Sequence, residues 1–161
     1  MAAVYLICGR LCCGKSTYAA ALRERRSAAV LSVDEIMLAV FGQDAGALHD
    51  TYTARIKAYL LEKSLELLHA GVDVILDWGF WTRRERDETR AFYSAHGIAA
   101  ELHDLDIPQE EWQRRIEKRN RAVLAGGTGA YLVDGGLRAK FEAIFEPPAS
   151  DEITRSVGTE K

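Results

Sequence analysis

Apolar residues fall along this chain in two registers, short unbroken runs and longer stretches recurring every third or fourth position. The run Val4-Tyr5-Leu6-Ile7-Cys8 predicts a strand over 3–8, and the stretch from Lys15 to Arg26 reads as a helix. Ala29-Val30-Leu31-Ser32-Val33 predicts a second strand ending at Asp34, with a brief helix from Glu35 to Phe41 stopped by Gly42 and a loop over 43–49. Asp50 or Thr51 is placed to cap a long helix carrying Ile56, Leu60, Leu61, Leu65 and Leu68 at helical spacing, closed by Gly71. Asp73-Val74-Ile75-Leu76-Asp77 predicts a third strand. Thr82 with Glu85 three residues on forms a capping-box start for a helix to about His96. A fourth strand spans Ala99 to Leu105, and Pro108 opens a strongly charged helix to Leu124. Gly126-Gly127-Thr128-Gly129 then breaks the chain, and a last helix runs from Asp134 to Phe145 before Pro147-Pro148. Residues 149–161 read as a loose tail with room for a short edge strand near Ile153.

Strands alternating with helices at this spacing predict a parallel sheet with right-handed crossovers. In such sheets ligands sit at the carboxyl ends of the strands. Those ends hold the loop after the first strand, Asp34 and Asp77, so three separate stretches converge on one crevice.

The loop after the first strand reads Gly9-Arg10-Leu11-Cys12-Cys13-Gly14-Lys15-Ser16, followed by Thr17, and satisfies G-x-x-x-x-G-K-[ST] between a strand and a helix. Its glycines let the backbone N–H groups turn toward an anion, and the following helix offers unpaired N–H groups and a positive dipole end. Residues Gly9 to Thr17 are therefore the candidate nucleotide-binding segment. Lys15 is placed for the β- and γ-phosphates of ATP and the Ser16 hydroxyl for Mg²⁺.

Asp77 is the second candidate Mg²⁺ ligand, its bland alternative being a cap for the next element. Asp34 is a candidate general base that would orient an acceptor hydroxyl in line with the γ-phosphate, its bland alternative being an N-cap. In Arg114-Arg115-Ile116-Glu117-Lys118-Arg119-Asn120-Arg121 cations dominate. Arg115 and Arg119 share one helical face, and a glycine-rich segment follows, as in a lid closing on phosphates. Arg119, then Arg115, is the candidate for neutralising the transferred phosphoryl, against a solvated helix face as the alternative. Trp78, Phe80 and Trp81 either wall an acceptor pocket by stacking or pack the loop onto the core. Arg83, Arg84 and Arg86 sit unfavourably at a helix N-terminus, which calls for anionic compensation, with Glu85, Asp87 and Glu88 at hand. Cys12 and Cys13 replace the small residues common in such loops. A helix N-terminus lowers thiol pKa, so their oxidation is hypothesised to block phosphate binding; unchanged ATP affinity after peroxide would refute this. The four histidines show no metal or triad spacing and read as surface or helix-end residues.

At 161 residues the chain fits one domain, and 48% hydrophobic with 28% charged residues is ordinary for a soluble globular protein. A net charge of −3 disfavours a nucleic-acid coat. The three cysteines are odd in number and clustered, which suggests a reducing, cytoplasmic setting. No leader-like segment or membrane-length apolar run is present.

With these residues in place the chain resembles the P-loop kinases of the polynucleotide-kinase type, a group that also resembles zeta-toxin and chloramphenicol phosphotransferase-like enzymes. It is similar as well to small bacterial ATP-binding proteins. The resemblance covers most of 3–146 and rests on GRLCCGKST, LSVDEI, VILDWGFWTRRER, RRIEKRN and the closing FEPP. It implies a P-loop NTPase three-layer α/β/α sandwich, a parallel sheet of four to five strands in the order 2-3-1-4, and a helical lid over about 112–132 within a domain spanning 1–148. It also implies ATP and Mg²⁺, Lys15 and Ser16 at the phosphates, Asp34 as base, Asp77 near the metal and a lid arginine at 115 or 119. Two positions depart from the polynucleotide kinases. Met37 stands where they carry an arginine for the acceptor's phosphate, and Asp77-Trp78-Gly79 stands in place of their Asp-Thr-Asn. The expected activity is γ-phosphoryl transfer to a hydroxyl of a small-molecule, nucleoside or nucleotide acceptor. An ATPase switch acting on a protein partner and a 5′-hydroxyl polynucleotide kinase are the alternatives.

Overall fold

The computed structural model describes residues 1–127 and 130–158; Thr128 and Gly129 of the glycine break, and residues 159–161 of the tail, lie outside the described residues. In chain order the elements are β1 (Val4–Gly9), α1 (Lys15–Arg26), β2 (Ala29–Ser32), α2 (Val33–Phe41), a 3₁₀ turn (Gly46–Leu48) and α3 (His49–His69). There follow β3 (Val74–Gly79), α4 (Arg83–Ala95), β4 (Ala100–Asp106), α5 (Gln109–Leu124), α6 (Gly135–Ile144) and β5 (Arg155–Gly158). The strands form one parallel sheet in the order β2-β3-β1-β4-β5. The 2-3-1-4 order expected from the resemblance is extended by β5.

Side-chain alternation along β1 builds the layers. Tyr5 and Ile7 point into a core shared with Ala19 and Leu22 of α1, Trp112 and Ile116 of α5, and Phe141 of α6. Val4, Leu6 and Cys8 point the other way, onto Leu65 and Leu68 of α3 and Tyr93 of α4. A smaller cluster of Val33, Met37 and Leu60 joins α2 to α3, with Trp78 and Tyr131 against it. The helices therefore cover both faces of the sheet, and the mouth at the strands' carboxyl ends stays open.

Local chemistry explains where elements stop and where the sequence reading was off. β2 ends at Ser32, whose hydroxyl accepts from the Glu35 N–H at 3.3 Å and caps α2. Ser32 is the cap, so Asp34 lies in the first turn of α2 and neither ends a strand nor caps a helix. β3 continues past Asp77 to Gly79, because Ser32 pairs with Asp77 and Cys8 with Gly79. The loop over 43–49 holds a 3₁₀ turn, and α3 begins at His49 without a side-chain cap. Thr82 and Asp134 cap α4 and α6.

Residues 149–158 are tied in more firmly than the loose tail with a short edge strand near Ile153 that the sequence suggested, and the edge strand is β5 at 155–158. Arg86 is fully buried and grips Glu152 through two hydrogen bonds, Nε to Oε1 at 2.7 Å and Nη2 to Oε2 at 3.1 Å. Its Nη1 also donates to the carbonyls of Phe80 and Glu146. Arg83 pairs with Asp151 at 2.9 Å, while Arg84 pairs within α4 to Glu88. The anions that compensate this cationic helix start thus come largely from the C-terminal segment, and this brings β5 to the sheet edge. His103 also departs from its expected surface position. It is buried on β4, with Nδ1 2.9 Å from the Tyr18 hydroxyl and Nε2 3.3 Å from Glu101.

Candidate active site

The loop between β1 and α1 has the backbone an anion cradle needs. Gly9 and Gly14 sit at φ 156° and 103°, and Cys12, unusually for a residue with a side chain, at 57°. A Cβ at Gly9 would lie 2.6 Å from the Cys13 sulfur and 2.8 Å from the Leu105 carbonyl oxygen. Gly14 is the N-cap of α1 with no side-chain cap, and the first turn carries no acidic residue. The helix start is therefore electropositive, with N–H groups left for a ligand.

Lys15 folds back on this loop, its Nζ donating to the carbonyls of Arg10 at 2.6 Å and Gly9 at 3.2 Å. Ser16 Oγ donates to Asp77 Oδ2 at 3.0 Å. Burial pushes the Asp77 carboxyl above its ordinary pKa. Lys15 and the Ser16 hydrogen bond pull it down, and the charges of Asp34 and Glu35 push it further up. Asp34 is itself exposed, and its charge also reaches Tyr131, whose hydroxyl is raised first by burial and then by Asp34. The charge of Asp34 is thus felt both at Asp77 and in the segment that returns after α5.

α5 turns two of its cations inward. Arg115 is half-buried, pairs with Glu111 at 2.7 Å and donates from Nη1 to the Cys13 carbonyl at 2.9 Å. Arg119 donates to the Tyr131 carbonyl at 3.0 Å and touches the Cys12 sulfur at 3.3 Å. Arg114, Lys118 and Arg121 are exposed, so the charge run divides by helical periodicity into a loop-facing and a solvated face. The segment expected as a lid divides likewise. Trp112 and Ile116 are buried in the core, and the Trp112 indole N–H donates to the Leu11 carbonyl. The return stretch is held by Asn120, which bonds both the N–H and the carbonyl of Val133 at 2.8 and 2.7 Å.

Two readings of the loop chemistry change. Burial pushes the Cys13 thiol up, contrary to the lowering expected for it at a helix N-terminus, and on β1 it pushes the Cys8 thiol up to about 12. Of the three aromatics at and just after the end of β3, Phe80 is core, and Trp81 packs edge-on against Phe141 at 5.0 Å. Trp78 lines the cleft, as does Trp81. Met37 is buried under α2, so that position presents no side chain to an acceptor.

Lys15, Ser16, Asp34, Asp77, Arg115 and Arg119 line one cleft of about 1270 Å³. Mg²⁺ prefers hard oxygen ligands and keeps waters and substrate phosphates among them. The adjacent Ser16 hydroxyl and Asp77 carboxylate fit that demand. Among the described residues no group of three or more His, Cys, Asp or Glu side chains is arranged to hold a metal ion by itself.

A β1–loop–α1 unit of this geometry in a parallel β2-β3-β1-β4-β5 sheet defines a P-loop nucleotide-binding α/β protein. Residues 4–129 match the family described as AAA domain, and the chain belongs to that family. No curated protein matches the chain. Among solved structures it is similar to a sugar kinase from Janibacter sp. HTCC2649 (TM-score 0.69, 20% identity, 98% of this chain and 86% of that one). It is similar to the Mycobacterium tuberculosis APS kinase CysC in complex with AMPPNP and APS (TM-score 0.69, 18% identity, 99% and 90%). It also resembles a chain of the Pnkp1/Rnl/Hen1 RNA repair complex (TM-score 0.64, 22% identity, 92% and 49%). The chain therefore has the fold of the P-loop kinase group. No helix among the described residues is long and apolar enough to cross a membrane.

Proposed function

We propose that this protein is a phosphotransferase that moves the γ-phosphoryl of ATP to a hydroxyl of a small acceptor. The observation that carries this reading is Asp34. Ser32 caps α2 in its place, which leaves the Asp34 carboxylate exposed at the cleft that Ser16, Asp77, Arg115 and Arg119 also line.

The loop N–H groups from Gly9 to Thr17 would hold the phosphate chain, and Lys15 would exchange its two carbonyl contacts for the β- and γ-phosphates. Ser16 and Asp77 would hold Mg²⁺, which supplies charge neutralisation between those phosphates. Asp34 would accept the proton of the acceptor hydroxyl as its oxygen bonds to the γ-phosphorus. The bond from that phosphorus to the β,γ-bridging oxygen breaks, and ADP leaves. Arg119 is the cation for charge on the moving phosphoryl, because its present partners are a carbonyl and a thiol that cost little to leave. Arg115, already paired with Glu111 and seated on Cys13, would hold the loop in shape.

Titration calorimetry with ATP and Mg²⁺ tests the division of labour. Lys15→Ala should weaken ATP binding tenfold or more. Asp34→Ala should bind ATP within about twofold of the parent yet lose acceptor-dependent turnover. Intact binding and turnover in Lys15→Ala would overturn the reading.

A further inference from the structure

Apart from Asp77 on β3 and Asp134 at the start of α6, the charged residues lining the cleft divide by the elements that carry them. On the α1 and α5 side stand Lys15, Arg23, Arg115, Lys118 and Arg119. On the β2 side the wall carries Asp34, Glu35, Asp44, Asp50 and Glu85. The cations there, Lys57 and Lys140, are already engaged, Lys57 with Glu85 and Lys140 with Asp50 at 3.3 Å. His49 also pairs with Asp50, at 3.2 Å. The nearest remaining cation is Arg119, which bonds the Tyr131 carbonyl and is assigned above to the moving phosphoryl, while Asp34 and Glu35 line the cleft without an ion-pair partner among the described residues.

A second observation is independent of charge. Among the described residues the buried side-chain polar atoms without a hydrogen-bond partner are Thr53 Oγ1, Trp78 Nε1 and Tyr131 Oη, and all three residues line this cleft. They come from α3, β3 and the segment after α5, and Trp78 and Tyr131 share the cluster beneath α2. Buried polar groups are ordinarily satisfied, so three orphans around one cavity mark a place where a ligand supplies the partners. The indole N–H only donates, whereas the two hydroxyls donate or accept. Ligand hydroxyls meet all three needs, and a ring face of Trp78 or Tyr131 suits the C–H face of a polyol.

We propose that the acceptor is a polyhydroxylated small molecule without an anionic group, neutral or amine-bearing, read by Thr53, Trp78 and Tyr131 on the β2 side of the cleft. This rests on the phosphotransferase reading and specifies its acceptor. An acceptor phosphate or carboxylate would meet the unpaired carboxylates of Asp34 and Glu35. Like charges so placed discriminate by repulsion, as they do in specific recognition elsewhere.

The test uses the full chain, γ-labelled ATP, Mg²⁺ and a cell metabolite extract divided on an anion exchanger, with Asp34→Ala as the blank. Label appearing in compounds of the unretained fraction, and absent with Asp34→Ala, is the expected result. Label confined to compounds of the retained fraction, or to added 5′-hydroxyl oligonucleotide, would overturn the proposal while leaving the phosphotransferase reading standing. No organic product in any fraction would sink that reading, and the acceptor class with it. With the labelled fraction in hand, Trp78→Phe, Tyr131→Phe and Thr53→Val each remove one polar atom. Each should raise the acceptor KM about three- to tenfold with ATP affinity unchanged. An unchanged acceptor KM in all three would show the atoms to be structural and would overturn their assignment.

Discussion

Replacing Arg86 with Met tests how the chain holds its C-terminal segment and the loop after β3. Arg86 and Glu152 are 0% and 2% exposed and joined by two hydrogen bonds, and the same guanidinium serves the Phe80 and Glu146 carbonyls. Met fills a similar volume but leaves Glu152 buried with only the Ala149 N–H at 2.9 Å and Arg83 at 3.6 Å. Removing one partner of a buried pair costs about 3–5 kcal/mol, a large share of the ~5–15 kcal/mol that stabilises a typical domain. At ~2–4 °C per kcal/mol for a chain of this size, Tm should fall by about 6–20 °C. Urea unfolding followed by circular dichroism gives the free energy. The double variant Arg86→Met with Glu152→Leu should recover much of the loss, since it removes the stranded charge. The Arg86 hydrogen bond holds Glu152 below the ordinary carboxylate range, with burial opposing. Its contribution is thus present above the unfolded pKa and is lost as pH falls through the folded one, so the gap between parent and variant should narrow in acid. A loss under ~1 kcal/mol, the size of a surface pair, would refute the reasoning.

Other outcomes follow from the same structure. Burial, with Asp106 second, pushes the Asp104 carboxyl up to about 6, so the charged form opposes folding above that pH. Asp104→Asn should therefore raise Tm at pH 8, and the gain should vanish as pH falls through about 6 toward the ordinary aspartate value near ~4; a gain constant with pH would disprove the cause. Gly14→Ala meets both φ 103° and the Arg115 Nη1 at 2.9 Å, and should weaken ATP binding at least about tenfold. Gly42→Ala, at φ 69° with nothing within 4 Å, should cost only ~1–2 kcal/mol of stability and leave ATP affinity alone. Equal ATP affinities for the two variants would contradict the loop geometry.

The parallel sheet and the phosphate loop were legible in the sequence because both rest on local rules. The apolar runs and the G-x-x-x-x-G-K-S spacing lie within one strand–loop–helix stretch, and β1 and α1 form almost where the pattern puts them. What escaped was non-local. Nothing near Arg86 reveals that its partner is Glu152, sixty-six positions later, so the segment after 148 read as loose. His103 looked like any polar residue, and only Tyr18, from the helix across the sheet, explains its burial. The sequence reading offers the cap of α2 only at Asp34, whereas Ser32, two residues earlier, takes that place, and local propensity suits both residues. This difference matters most, since it frees Asp34. Arg115 and Arg119 were separable from Arg114 and Lys118 by helical phase alone, and their different contacts become visible only once Cys13 and Tyr131 are placed beside them.

The central claim is transfer to a hydroxyl through Asp34, and the most direct measurement is single-turnover chemistry. Purified protein is loaded with γ-labelled ATP and Mg²⁺, mixed with the acceptor fraction, and followed for labelled product beside Asp34→Ala. The account predicts that label passes to an organic product in the parent, and that the variant, binding ATP equally well, slows this by ~10²–10⁴-fold. Label released only as inorganic phosphate, at the same rate in both proteins, would contradict it and point to an ATPase switch.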